Sequence, residues 1–307
     1  MKSSRIKGGN SLRGQLIKAL SGFYYIEVDQ QIYQTRARGN FRKKKLTPLV
    51  GDYVSFESTS LQDGYILELF PRKNELIRPP VANVDQVIVV SSLVAPDFSS
   101  HLLDRFLIHL EQKGIEAILY LSKADLVAED SSLIEEIKAC YQKIGYPVIV
   151  GSNQDRALEE LKTYLPGKLT VLAGQSGAGK STLLNRLLPG LNLATNEISE
   201  SLGRGKHTTR HVELIEVMDG LVADTPGFSS IDFFDLTVNE LPKLFPEFVQ
   251  VSDQCRFREC SHTHEPDCAV RAAIENGQIA QSRYDNYLVF LQELTNQRPV
   301  YRKKNRK

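Results

Sequence analysis

Three glycines, a lysine and two serines in eight residues, Gly174-Gln175-Ser176-Gly177-Ala178-Gly179-Lys180-Ser181, carry the strongest chemical signal in the chain. The run before them, Leu169-Thr-Val-Leu-Ala173, is apolar and β-branched, and from Thr182 to Leu188 leucines recur at helical spacing, so the glycines join a strand to a helix. In that setting backbone N–H groups curl around a phosphate and the helix N-terminus points its partial positive charge at the anion. Gly174, Gly177 and Gly179 permit the required backbone angles, Lys180 reaches β- and γ-phosphate oxygens, and the Ser181 hydroxyl is placed to ligate Mg2+. The pattern predicts a nucleoside phosphate site over Gly174–Thr182.

Four further segments complete such a site. After the apolar run Ile115–Leu121 stands Ser122-Lys123-Ala124-Asp125, which resembles the guanine-recognition loop of GTPases. There a carboxylate, Asp125, accepts from the ring N–H and exocyclic amine of guanine, selecting GTP over ATP, and the Lys123 stem lies over the base. Ser122 stands where that loop usually carries an asparagine whose amide steadies it. After Pro147–Val150 come Gly151-Ser152-Asn153, a weaker match to the segment that backs the base. Within Gly203–Arg210, Thr209 fits the threonine that contacts Mg2+ and the γ-phosphate, with Thr208 as the alternate. Asp224-Thr-Pro-Gly227 matches the loop in which an aspartate, Asp224, holds the Mg2+ shell and a glycine N–H, that of Gly227, senses the γ-phosphate. Lys180, Thr209, Asp224 and Gly227 are thus the expected catalytic set. Phe228 follows Gly227 and no glutamine occurs until Gln250, so no residue of the usual kind orients the attacking water; His207 is the candidate contributor. Slow intrinsic turnover, raised by a partner, is the expectation.

The elements that must position these residues are legible from periodicity. Residues 12–70 read as five short strands with no helix, a small all-β barrel of the OB type. Arg36, Arg38 and Arg42 to Lys45, with Tyr33 and Phe41 interleaved, give the mix of cations and aromatics that tracks a nucleic-acid backbone and stacks bases; the alternative is that the aromatics are core. Pro71, Pro79 and Pro80 mark a linker. From Val84 to Val150 strands alternate with helices, implying a parallel, doubly wound sheet with its ligand at the carboxyl ends of the strands. Val212–Val217 and Leu221–Ala223 read as a hairpin closed at Asp219-Gly220. Residues 269–275 and 284–294 read as helices.

The chain has 307 residues, 41% of them apolar and 24% charged, enough for two or three domains with ordinary cores. The N-terminus lacks the apolar region of a secretory signal and no run is long enough to span a bilayer, so a cytoplasmic protein without membrane contact is expected. A net charge of +1 hides segregation: residues 1–50 carry eleven Lys/Arg against Glu27 and Asp29, and residues 298–307 carry six with no acid. Basic ends around an acidic centre point to a polyanionic partner. Three of the four cysteines fall in Cys255-x4-Cys260-x-His262-x5-Cys268, and three thiolates with an imidazole suit a closed, structural Zn2+ site. His264 is the spare ligand candidate, and Cys140, on the apolar face of an expected helix, reads as core.

Ordinary GTPases place the phosphate loop before the guanine loop. Here the order is Ser122–Asp125, Ser152–Asn153, Gly174–Ser181, Thr209, Asp224–Gly227, that of a circularly permuted G domain. With the barrel upstream and the cysteine cluster downstream, the whole chain resembles the ribosome small-subunit-dependent GTPase A family. The resemblance implies an OB domain at 1–72, a permuted α/β P-loop GTPase domain at 73–237, and a mainly helical zinc domain with a basic tail at 238–307. It further implies zinc on Cys255, Cys260, His262 and Cys268, and Mg2+ held with GTP. The implied function is late maturation of the 30S subunit by a monomer that contacts 16S rRNA and hydrolyses GTP to GDP when bound to the subunit. A non-catalytic, GTP-dependent RNA-binding switch is the alternative, and an RNA-binding scaffold or ATPase in which Asp125 is incidental is a third reading.

Overall fold

The structure is a computed structural model that describes residues 11–39, 41, 46–151, 156–188, 212–224 and 236–296. Five strands open the chain: β1 (Ser11–Leu20), β2 (Phe23–Val28), β3 (Gln31–Ala37), β4 (Tyr53–Ser60) and β5 (Asp63–Leu69). β1–β2, β2–β3, β4–β5 and β1–β4 pair antiparallel and β3–β5 parallel, which closes a barrel. Alternation along the strands buries Leu16, Ile26, Val54, Phe56 and Ile66 completely. Phe41 is buried as well, and the Tyr33 ring packs on Phe56 with centroids 5.3 Å apart. Of the two aromatics considered for base stacking, Phe41 therefore belongs to the barrel interior and Tyr33 packs half-buried against it. Phe23, two positions from Tyr25 on the opposite face from Ile26, instead carries the Arg36 guanidinium 4.6 Å from its ring centroid. Residues 42–45 of the basic run lie outside the described residues.

The proline-marked linker is pinned. Two short strands, β6 (Glu75–Leu76) and β7 (Val81–Ala82), pair within it. The buried Asp52 carboxylate accepts from Arg72 Nε at 2.7 Å and Arg72 Nη2 at 2.8 Å, tying the linker's start to the barrel.

Next come β8 (Gln86–Ser92), α1 (Ser100–Lys113), β9 (Glu116–Ser122), α2 (Leu133–Ile144), β10 (Val148–Val150), α3 (Arg156–Lys162), β11 (Leu169–Ala173), α4 (Lys180–Leu187), β12 (Val212–Val217) and β13 (Gly220–Asp224). Three helix boundaries have a local cause: Ser99 Oγ accepts the Leu102 N–H at the start of α1, and Gly114 and Gly145 take left-handed angles after α1 and α2. The sheet runs β10-β9-β8-β11-β13-β12, parallel except for β12. β11, which leads into the phosphate loop, thus lies between β8 and β13 although its residues follow three other sheet strands in the chain. The β12–β13 turn places Met218 and Asp219 at its centre, with φ of 51° and 61°, one residue earlier than the expected Asp219-Gly220. Gly220 serves a different need: a Cβ there would lie 2.0 Å from the Leu165 carbonyl oxygen.

One contact had no signal in the sequence. A bulge between Leu16 and Lys18 lets the first half of β1 close the barrel on β4, while Lys18 and Ala19 pair with Glu213 and Val212 of β12. Barrel and G-domain sheet are one eleven-stranded sheet, and Lys18 Nζ donates to Glu213 Oε2 at 2.9 Å across the joint.

The C-terminal helices α5 (Pro246–Ser252), α6 (Ala269–Glu275) and α7 (Gln281–Asn296) pack Phe245, Phe248, Tyr287 and Phe290 into a third core that also takes in Ile108 of α1. Beside it Arg283 is buried, with Nε donating to Glu247 Oε1 at 2.6 Å and Nη1 to Asp104 Oδ1 at 2.6 Å; Asp104 also accepts from Asn286 and Tyr141. Burial works against the Arg283 charge, but the two carboxylates outweigh it and hold its pKa well above the usual value. Among the described residues, no helix is long and apolar enough to cross a membrane.

Candidate functional site

At the carboxyl end of β11 the chain turns through Gly174 at φ 137°, where a Cβ would lie 2.1 Å from the Val90 carbonyl oxygen of β8. Only glycine lets the loop leave the sheet this close to its neighbour. Gln175, Ser176 and Gly177 are exposed and Ala178 is buried. Gly179, at φ 95°, immediately precedes α4, so the first-turn N–H groups of that helix face the mouth of the loop. Lys180 curls back, its Nζ donating to the Gly174 and Gln175 carbonyls at 2.7 Å each. Burial lowers its pKa to about 8. Ser181 and Thr182 follow in the first turn of α4.

The structure brings the guanine-type loop to the same sheet edge. Ser122 ends β9, and Lys123 takes a left-handed φ of 61° before the single turn Ala124–Leu126 that exposes Asp125. Ser122 Oγ donates to the Ala178 carbonyl of the phosphate loop at 2.6 Å. The steadying contact expected to be missing without an asparagine is therefore made by the hydroxyl. Lys123 Nζ donates to the Ala95 carbonyl, and Ala124 N–H donates to the Gly151 carbonyl at 3.2 Å.

Sequence reasoning missed the Leu93–Ser99 segment, which lies against both loops. Besides receiving Lys123 at Ala95, it sets Pro96 Cδ 3.6 Å from where a Gly177 Cβ would stand. Its only signal was Pro96 next to a Ser99 helix cap, which reads as an ordinary connection. Of the other expected residues, Asp224 is placed as the last residue of β13, opposite Glu213 in register, which in turn is opposite Lys18 of the barrel. Ser152, Asn153, His207, Thr208, Thr209, Gly227 and Phe228 lie outside the described residues.

A second constellation lies in the C-terminal unit. One ligand atom each from Cys255, Cys260, His262 and Cys268 falls within 4.8 Å of all the others. His262 Nδ1 is 3.7 Å from Cys255 Sγ and 3.4 Å from Cys268 Sγ. Donors about 2.0–2.3 Å from a tetrahedral centre stand roughly 3.5–3.8 Å apart, so the Cys3His set fits zinc. The knuckle that carries His262 at φ 57° is held from outside: Glu265 accepts the N–H groups of Ser261, Thr263 and His264, and Tyr284 and Tyr287 donate to the His262 and Ser261 carbonyls at 2.7 and 2.6 Å. His264 and Cys140 are not part of the set. Cys140 sits half-buried on α2, where burial pushes its thiol up to about 11.

Against known sequences, residues 69–234 match the model of the RsgA GTPase and residues 13–66 that of the RsgA N-terminal domain. Curated relatives include the small ribosomal subunit biogenesis GTPase RsgA of Enterococcus faecalis, 61% identical over 96% of this chain and 99% of the relative. That of Streptococcus pneumoniae is 53% identical over 96% of this chain and 99% of its own. Among solved structures, YloQ, described as a circularly permuted GTPase, superposes with a TM-score of 0.81 at 42% identity, covering 97% of this chain and 100% of that one. YjeQ from Thermotoga maritima gives 0.83 at 37% identity, covering 94% and 100%. The chain belongs to the RsgA GTPase family.

Proposed function

We propose that the chain hydrolyses GTP to GDP and phosphate and acts in biogenesis of the small ribosomal subunit, binding the 30S particle late in its assembly. The observation that carries this reading is the meeting of Ser122–Asp125 and Gly174–Thr182 at one sheet edge, tied by Ser122 Oγ to the Ala178 carbonyl. The names of the relatives support the ribosomal setting. In this reading Asp125 accepts from guanine, the loop N–H groups and Lys180 hold the β- and γ-phosphates, and Ser181, Thr209 and Asp224 hold Mg2+, which neutralises charge on the transferred phosphoryl group. Gly227 senses the γ-phosphate. The Cys3His set holds structural zinc.

The barrel and the basic tail contact 16S rRNA, and the protein works as a cytoplasmic monomer divided at 1–72, 73–237 and 238–307. The limits of the two matched family models, 13–66 and 69–234, support these boundaries. The test is GTP turnover by the purified protein with 30S subunits, with 50S subunits and with neither, together with competition of labelled GTP by ATP. Stimulation by 30S alone and poor displacement by ATP are expected. Equal displacement by ATP overturns the guanine assignment, and single-turnover GTP that survives intact on 30S favours the non-catalytic switch.

A further inference from the structure

The backbone at Gly151 leaves no room for a side chain. A Cβ on Gly151 would stand 2.2, 2.3 and 2.5 Å from Tyr120 Cζ, Oη and Cε1, far inside van der Waals contact. The φ of Gly151 is not in the left-handed region, so the demand for glycine is steric, and the three atoms nearest to that Cβ all belong to the phenol ring. Tyr120 has little room to yield: it is 4% exposed and packs in a cluster with Ile88, Ile118 and Ile149. Gly151 is also the backbone anchor of the guanine-type loop. Its N–H donates to the Leu121 carbonyl at 2.7 Å, and its carbonyl accepts the Ala124 N–H at 3.2 Å, one residue from Asp125.

Tyr120 and Ser122 lie two residues apart on β9 and so share a face. One supports Gly151 at the end of the neighbouring β10; the other reaches the Ala178 carbonyl of the phosphate loop. We infer that Tyr120 and Gly151 are positioning residues for base recognition: the ring is the floor on which the Gly151 backbone rests, and that backbone sets where the Asp125 carboxylate meets guanine. This rests on the guanine reading proposed above. A methyl group at Gly151 lifts the backbone off the ring and carries the Ala124–Asp125 turn with it, while the phosphate loop, fixed by β11 and α4, stays in place.

Two probes separate these parts: GTP, which uses both loops, and tripolyphosphate, which uses the phosphate loop alone. Gly151→Ala is expected to weaken GTP binding about tenfold and to leave tripolyphosphate affinity unchanged. In Tyr120→Leu/Gly151→Ala, where the ring that meets the methyl is gone, GTP affinity returns to within about threefold of the parent. Tyr120→Leu alone removes the floor without adding bulk. It weakens GTP about threefold relative to tripolyphosphate, and it carries the test if Gly151→Ala does not fold. Equal losses for GTP and tripolyphosphate, no loss in either single variant, or no recovery in the double variant overturns the inference. A parent protein that binds ATP as well as GTP instead sinks the guanine assignment beneath it.

Discussion

The phosphate loop and the Cys3His cluster prepare for their ligands by opposite means. At Gly174–Ser181 the receiving groups are largely main-chain N–H groups on an exposed loop, and the one charged side chain, Lys180, is turned onto the loop's own carbonyls. At Cys255–Cys268 every donor is a side chain, three of the four residues are buried, and Glu265, Tyr284 and Tyr287 brace the knuckle from outside. The first arrangement suits reversible binding of an anion, with Lys180 the one charged group to be turned toward it. The second converges four side-chain donors on one point, a closed set that suits a structural ion. One chain thus holds two sites of different construction, the first built from backbone and the second from anchored side chains.

The largest effect that would sharpen this contrast comes from removing one thiolate. Cys268→Ser is expected to lower zinc content, measured by atomic emission, from about one per chain to near none and to expose residues 246–296 to protease. Affinity for GTP should change less than about twofold. A matching collapse of GTP affinity would break the comparison by showing that the two sites stand or fall together. Next in size is Arg283→Met, which leaves Asp104 and Glu247 buried without their shared cation. Urea unfolding should show a loss of about 3–5 kcal/mol, because uncompensated buried charge costs more than the pair contributes.

A smaller effect belongs to the phosphate loop alone. Lys180 in the free protein titrates near 8, below its ordinary value, and must be charged to hold phosphate. As pH rises from 7 to 9 the free protein sheds that proton and binding must take it back, so tripolyphosphate affinity should fall about tenfold by calorimetry, with proton uptake growing over the same range. Zinc content should not follow, since alkali favours thiolates. Smallest is Ser122→Ala, which strips the Ala178 carbonyl of its donor and should weaken GTP and GDP alike by about 1 kcal/mol in a fluorescent-nucleotide titration.

The two regions were also legible to different depths. Gly174-x4-Gly-Lys-Ser and the cysteine spacing state their chemistry in residue types, because phosphate and zinc each demand a narrow set of donors. The helices at 133–144 and 269–275 were readable, the first from the helical spacing of Leu133, Ile134, Ile137, Cys140, Tyr141 and Ile144 and the second from its stop at Asn276-Gly277. Long-range partners were not. Nothing around Asp104 marks it as the acceptor for Arg283, since a buried charge pair 179 residues apart leaves no periodic trace. For Tyr33 and Phe41 base stacking and core both stood open, because composition cannot tell which face of a strand is inward. Ser122 looked like a loss because the compensating carbonyl of Ala178 is 56 residues away.

The joint between β1 and β12 has a consequence for the order of assembly. All pairings that close the barrel lie between Ser11 and Leu69, whereas Lys18 and Glu213 are separated by 195 residues. A chain made from its N-terminus can complete the barrel while β12 is still unsynthesised, and the strand's outer edge waits as a finished template. The last two sheet strands, β12 and β13, then dock onto a pre-built edge on one side and onto β11 on the other. The segment that ends in Asp224 is thus set in place late, between two parts that are already folded.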